Sequence, residues 1–178
     1  MNRILATYLG YLYESQGWDV EYFGIMEGVE DMGRDLICSK DGEVKIVQAK
    51  CWNREKLIHE KHIFQLYGTA LLYRMETGSA SKVIASFETT TSLSPKARQV
   101  AAALNIEIKE RQELRKDFPM IKCNINRQTG QRIYHLPIDQ QYNRTKIIRG
   151  SGECYVSTVA EAEKMGFRRA FRFSGLFL

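Results

Sequence analysis

Asp35, Gln48 and Lys50 are the residues of this chain whose types and spacing best support hydrolytic chemistry. They lie in two short strings, Gly33-Arg34-Asp35-Leu36-Ile37 and Val47-Gln48-Ala49-Lys50, with Gln48 13 positions after Asp35. Lys40-Asp41-Gly42 falls between the strings as a hairpin signal, so the apolar runs 36–39 and 44–49 are expected to pair antiparallel. That folds both strings to one end of the hairpin. Side chains alternate along a strand, which sends Gln48 and Lys50 to one face and Ala49 to the other.

A carboxylate from Asp35, an amide oxygen from Gln48 and the backbone carbonyl at Ala49 are hard donors of the kind that hold Mg²⁺, with Mn²⁺ as an alternative occupant. Such a cation neutralises the non-bridging oxygens of a phosphodiester and activates water for in-line attack. Lys50 would orient or help deprotonate that water and stabilise developing charge. Glu14, from a preceding helix, is expected to complete the coordination directly or through water. The neutral Gln48 makes the site less negative than two carboxylates would, which should weaken metal binding.

The elements that position these groups are legible in outline. Residues 2–16 place Leu5, Tyr8, Leu9 and Leu12 on one helical side, and Gly17 can close the helix. Val20-Glu21-Tyr22-Phe23 reads as an edge strand, followed by a loop over residues 24–33 carrying Glu27, Glu30 and Asp31. Beyond the hairpin, Ile63, Leu66, Tyr67, Ala70 and Leu71 mark an amphipathic helix over residues 60–74. Residues 82–87 read as a strand. Ser94-Pro95 starts a further helix that runs to Asn105, and residues 106–108 give another strand. The sum is a mixed sheet flanked by helices.

These strings, with Glu14 in the helix before them, resemble the Mrr-like branch of the PD-(D/E)xK restriction-endonuclease superfamily, in which the second acidic ligand is commonly glutamine. The resemblance covers roughly residues 1–110, including Ile63-Phe64-Gln65-Leu66-Tyr67-Gly68 and residues 93–108. It implies an α/β fold with a restriction-endonuclease-like mixed sheet, Asp35 and Gln48 as metal ligands, Lys50 as the catalytic lysine and Glu14 as an accessory acid. It also implies that Gln65 contributes from the next helix. A nuclease domain is accordingly expected over residues 1–117.

The remainder, residues 118–178, is expected to be a small α+β module after a joint at Phe118-Pro119. It carries strands at 132–135 and 154–156, and a short helix with capping-box spacing at Thr158-Val159-Ala160-Glu161. Tyr134-His135-Leu136-Pro137 and Gly166-Phe167-Arg168-Arg169 are similar to the small zinc module behind some bacterial nucleases and in DNA-alkylation-repair regulators. Asp139, Ala170 and Phe173 stand where that module has cysteines, so no zinc is expected. Apolar contacts of Phe167, Phe171 and Phe173 would hold the module instead.

Charge supports the same division. Residues 1–110 hold 13 basic against 15 acidic residues, whereas residues 111–178 hold 13 against 6. A basic tail suits a polyanion, with DNA the expected partner. Arg127, Arg132, Arg144, Lys146, Arg149, Arg168, Arg169 and Arg172 are the candidates for phosphate contact. Tyr142 and Tyr155 could stack on bases, although core packing is the commoner fate of such residues.

Cys38, Cys51, Cys123 and Cys154 form no C-x-x-C pair and read as reduced thiols. No membrane span or leader is visible, and a cytoplasmic setting, in a prokaryotic or phage-infected cell, is expected. Cutting both strands requires a homodimer or two successive binding events. The competing readings are a non-catalytic DNA-binding protein that retains a nuclease shell, and a Holliday-junction-resolving nuclease.

Overall fold

Asp41 and Gly42 both take positive φ, 48° and 79°, the backbone of a two-residue type I′ turn whose twist matches the strands on either side. The turn joins Leu36–Lys40 to Glu43–Lys50 in antiparallel register, with Lys40 opposite Glu43 and Leu36 opposite Val47. The computed structural model describes residues 2–23, 33–78, 82–115, 117–139 and 141–170. Glu27, Glu30 and Asp31 lie outside the described residues, as do Phe171, Arg172 and Phe173.

Two compact units divide the chain, residues 1–115 and 116–178. In chain order the first unit is α1 (Asn2–Ser15), β1 (Asp19–Tyr22), β2 (Leu36–Lys40), β3 (Glu43–Lys50), α2 (Glu60–Thr77), β4 (Lys82–Thr89), α3 (Pro95–Ala103) and β5 (Glu107–Lys109). Its sheet order is β1-β2-β3-β4-β5. The first three strands form an antiparallel meander, and β4 and β5 are added in parallel through α2 and α3. Their parallel arrangement brings the ends of β3, β4 and β5 to one side, the usual place for a ligand site in an open sheet.

The helices sort the two faces. Ile37, Ile46, Ile58, Ile63, Leu66, Phe87 and Leu93 form the core beneath α2 and α3. Across the sheet, α1 buries Leu5, Ala6, Leu9 and Tyr13, while Leu12, expected inside, is half-buried. Gly10 lets this helix approach the sheet, because a Cβ there would stand 2.1 Å from the Tyr22 hydroxyl. A Schellman motif ends α1: Gly17 donates to Glu14 and Trp18 to Tyr13, with Gly17 at φ +83°. On α2 the buried set is Ile63, Leu66, Thr69 and Ala70. Tyr67 and Leu71, expected on that face, are exposed with Phe64 and Met75.

One polar cluster interrupts the α1 face. Glu88 is fully buried and accepts from the Tyr13 hydroxyl, Lys109 Nζ at 2.9 Å, Gln112 Nε2 at 2.6 Å and Ser86 Oγ at 3.3 Å. Burial, then the Glu88 charge, pushes the Tyr13 hydroxyl far above its usual range.

The second unit holds β6 (Ile121–Ile125), β7 (Arg132–His135), β8 (Cys154–Val156), α4 (Val159–Lys164) and β9 (Arg168–Arg169), in sheet order β8-β6-β7-β9. Ile121, Cys123, Tyr134, Val156, Ala162 and Phe167 are its core. The expected capping box is formed: Thr158 Oγ1 accepts from Glu161 N, and the Glu161 side chain reaches back to Thr158 N. β6 and β9 were not anticipated. Ile121, Cys123 and Ile125 alternate with polar Lys122 and Asn124 as a strand requires, but over only five residues. Cys123 and Cys154, distant in sequence, face each other across β6 and β8 as free thiols.

Two consequences follow for stability. Glu88→Ala would remove the common acceptor of four donors and leave buried polar groups unpaired. We expect a loss of about 3–5 kcal/mol in urea unfolding, whereas Glu88→Gln should lose less because its amide oxygen still accepts. In the second unit, burial holds His135 below its ordinary pKa, with Asp139 only partly offsetting it. The unfolded chain therefore binds the proton more readily than the folded one. Stability from this group is fully present above about pH 6.5 and is lost as pH falls below it. Melting temperature of the His135→Gln variant should show a shallower acid decline than wild type.

Candidate active site

Asp35 extends the β2–β3 ladder by one residue and closes it with its side chain. Its N–H donates to Val47 O at 2.9 Å, and its Oδ2 accepts from Ala49 N at 2.7 Å. The two bonds bracket Gln48. By alternation from Leu36 and Val47, Asp35, Gln48 and Lys50 share the α2 face, while Ala49 faces α1.

Gln48 is 1% exposed. Its Oε1 is buried and has no hydrogen-bond partner among the described residues, an unusual state for a strong acceptor. Gly33, at φ +81°, provides the space beside it: a Cβ there would lie 2.7 Å from Gln48 Nε2 and 2.8 Å from Gln65 Cδ. Gly33 thus brings the Gln65 side chain to the same place as Gln48, although Gln65 stands on α2.

Lys50 ends β3, its ammonium 6.0 Å from the Trp52 ring centroid. His62 meets that ring edge-on at 5.2 Å. Burial, followed by the charges of Lys50, Lys61, His59 and Lys56, holds His62 below its ordinary pKa. Sequence reading missed Trp52 and His62, but both had a signal. Trp52 is one strand repeat beyond Lys50, and His62 is one helical turn before Gln65.

Glu14 stands elsewhere. Its Oε1 accepts from the Tyr22 hydroxyl at 3.4 Å, and its charge bears on Cys38; both neighbours belong to the α1 side. Lys40 Nζ donates to Gln16 O at 2.8 Å, so the end of α1 lies by the hairpin turn, at the far end of β2 from Asp35. The expectation that Glu14 joins Asp35, Gln48 and Lys50 is therefore corrected: it sits across the sheet from them.

The donor set on the α2 face is one carboxylate and one buried amide oxygen, which suits a hard divalent cation. No group of three or more His, Cys, Asp or Glu placed to hold a metal occurs among the described residues. The orphaned Gln48 oxygen fits an added ligand here.

In the second unit, three of the arginines expected at phosphates are built into the module instead. Arg169 pairs with Asp139 at 2.6 Å, Arg168 donates to Gln131 Oε1 at 2.6 Å, and Arg132 lies 4.2 Å over Phe167. Arg144, Lys146 and Arg149 are exposed, and Arg172 lies outside the described residues. Arg127, Arg144 and Lys146 line a groove of about 490 Å³ with Asn124 and Gln141. Its acid, Glu153, accepts from Ile125 N and Ile148 N. Tyr142 is buried, donating to Met120 O at 2.6 Å.

Comparison with known proteins bears on the first unit. A solved structure, of a protein of unknown function (AF1548), superposes with a TM-score of 0.51 at 17% identity, over 62% of this chain and 58% of that one. The likeness is one of fold, and this chain spans little more than half of that protein's length. No curated protein matches. The Mrr catalytic-domain model, described as "Restriction endonuclease", matches residues 3–117. That span contains the Asp35–Gln48–Lys50 arrangement and the three helices that flank its sheet, and the chain belongs to the Mrr catalytic-domain family of restriction endonucleases.

Proposed function

We propose that the chain is a Mg²⁺-dependent endonuclease hydrolysing DNA phosphodiester bonds, of restriction or mobile-element-defence type. The observation that carries this reading is the buried Gln48 oxygen, without a hydrogen-bond partner among the described residues, next in sequence to Ala49, whose N–H holds the Asp35 carboxylate, and one strand repeat from Lys50. Asp35 and Gln48, with the Ala49 carbonyl, would hold the cation. When bound, the cation neutralises phosphate charge and lowers the pKa of water. Asp35 is held in place by Ala49 N, so its carboxylate is oriented before any ligand arrives. Lys50 brings an ammonium to the developing charge and holds the attacking water in line. Gln65 supports the Gln48 amide from α2. Glu14, on the other face, has no part in this arrangement.

Arg144, Lys146 and Arg149 of the second unit are proposed to hold DNA by its phosphates, fixing position without reading sequence. A second reading, a DNA-binding protein without cleavage, is favoured by one observation: the site offers a single carboxylate. Incubation of plasmid and short duplexes, methylated and unmethylated, with Mg²⁺, Mn²⁺ or chelator separates the two.

Asp35→Ala should abolish cleavage in Mg²⁺, and Lys50→Ala should slow it by about 10²–10³-fold, both with unchanged far-UV circular dichroism. Undiminished cutting by either purified variant would remove the assignment. Gln48→Glu tests the ligand role without relying on turnover. A buried carboxylate there lowers the melting temperature in chelator, since its charge is unpaired. Mg²⁺ should then raise the melting temperature of this variant more than that of wild type, and at lower concentration. Equal metal responses in the two proteins would count against Gln48 as a ligand.

A further inference from the structure

Beside Lys50 on the α2 face lies a cluster that the chemistry above does not use. The Lys56 ammonium sits 4.1 Å over the Trp52 ring centroid, opposite in kind to the edge contact made by His62. His62 Nε2 is buried and has no hydrogen-bond partner among the described residues. Burial and the charges of Lys50, Lys61, His59 and Lys56 all hold His62 toward its neutral form. Cations gathered around a half-buried aromatic offer a surface for an anion.

The segment that carries these groups is fastened rather than loose. Trp52 N donates to Thr90 Oγ1 at 3.1 Å, and that hydroxyl donates to Trp52 O at 2.9 Å. Thr91 Oγ1 donates to the carbonyls of Arg54 at 3.1 Å and Lys56 at 2.8 Å. Ile58 N donates to Ser92 O, and Ser94 N to Ile58 O, both at 2.9 Å. Residues 52–58 are thus laced to the end of β4, the strand beside β3. Trp52 and Lys56 are held in fixed relation to Lys50, so an anion bound to one is placed with respect to the other.

We propose that Trp52, Lys56 and His62 form a phosphate-binding subsite that holds the DNA strand next to the bond being cut. Lys56 supplies charge, His62 supplies a ring nitrogen to a phosphate oxygen, and Trp52 fixes both while offering an apolar face to the adjoining sugar. These are binding and positioning groups, not groups of the chemical step. The inference rests on the nuclease reading, but it is tested without cleavage.

Anisotropy of a fluorescein-labelled duplex, titrated in chelator over a range of salt concentrations, gives affinity and its salt slope together. Lys56 is exposed, so Lys56→Gln should fold normally. It should bind several-fold more weakly and flatten the plot of log K against log salt by about 0.9, the value for one lost phosphate contact. His62→Phe keeps the ring packed on Trp52 and should weaken binding while leaving the Lys56 contribution to the slope. Asp35→Ala serves as the reference, losing cleavage while keeping the wild-type slope. A Lys56→Gln protein with wild-type affinity and slope, or a wild type that does not bind the duplex, overturns the subsite. Failure of the wild type to cut, with the Lys56→Gln slope reduced, overturns the nuclease reading and leaves the subsite standing.

Discussion

The site depends on a register, the pairing of β2 with β3. With Asp41 and Gly42 in a type I′ turn, Leu36 is opposite Val47 and Asp35 reaches Val47 O through its N–H and Ala49 N through its side chain. A slip of one residue would send Gln48 and Lys50 to the α1 face and bring Val47 and Ala49 into their place. The Asp35 side chain guards against that slip, since its bond to Ala49 N exists only in the observed pairing. The carboxylate thus reinforces, through its bond to Ala49 N, a pairing that the turn and the apolar pattern already set.

Two polar side chains are buried near the ends of adjacent strands, and their contrasting surroundings distinguish structure from function. Glu88 lies on the α1 face with donors from Tyr13, Ser86, Lys109 and Gln112. A carboxylate so surrounded has little capacity left for a ligand, and it serves to tie α1, β4 and β5 together. Gln48 lies on the α2 face with its oxygen unpartnered among the described residues. Burying an amide oxygen without a bond is unfavourable by about 1–3 kcal/mol, and such a state persists where another constraint overrides stability. In the proposed metal site, that constraint would be an open ligand position at Gln48. The fully satisfied acid is the poorer candidate although it is the stronger ligand type.

The hairpin, its turn residues and the helix–strand order were legible because each rests on local signals: the Asp-Gly pair, strand alternation and the Ser94-Pro95 start. What the sequence concealed required knowing which element lay opposite. Glu14 falls one turn beyond Gly10 on α1, and nothing local shows that the end of that helix lies by Lys40 rather than by Asp35. Tyr67 and Leu71 satisfy helical spacing as well as Leu66 and Ala70 do, because α2 is apolar over much of its circumference. Only contact with the sheet selects Ile63, Leu66 and Ala70. Glu88 was hidden inside Phe87-Glu88-Thr89, where a charge argues for the end of a strand unless its partners, up to 75 residues away, are known.

In the second unit the same logic applies to Asp139. Its Oδ2 accepts from Leu136 N at 2.7 Å, and its Oδ1 pairs with Arg169 at 2.6 Å, while Ala170 N donates to Tyr134 O at 3.0 Å. A carboxylate–guanidinium clasp thus joins the loop after β7 to β9. The pair is only partly exposed, which limits screening and favours a directional, charge-assisted bond over a loose surface contact. It also explains why basic residues of one module divide by role. Arg169 and Arg168 fasten β9, whereas Arg144, Lys146 and Arg149 in the loop before β8 are exposed.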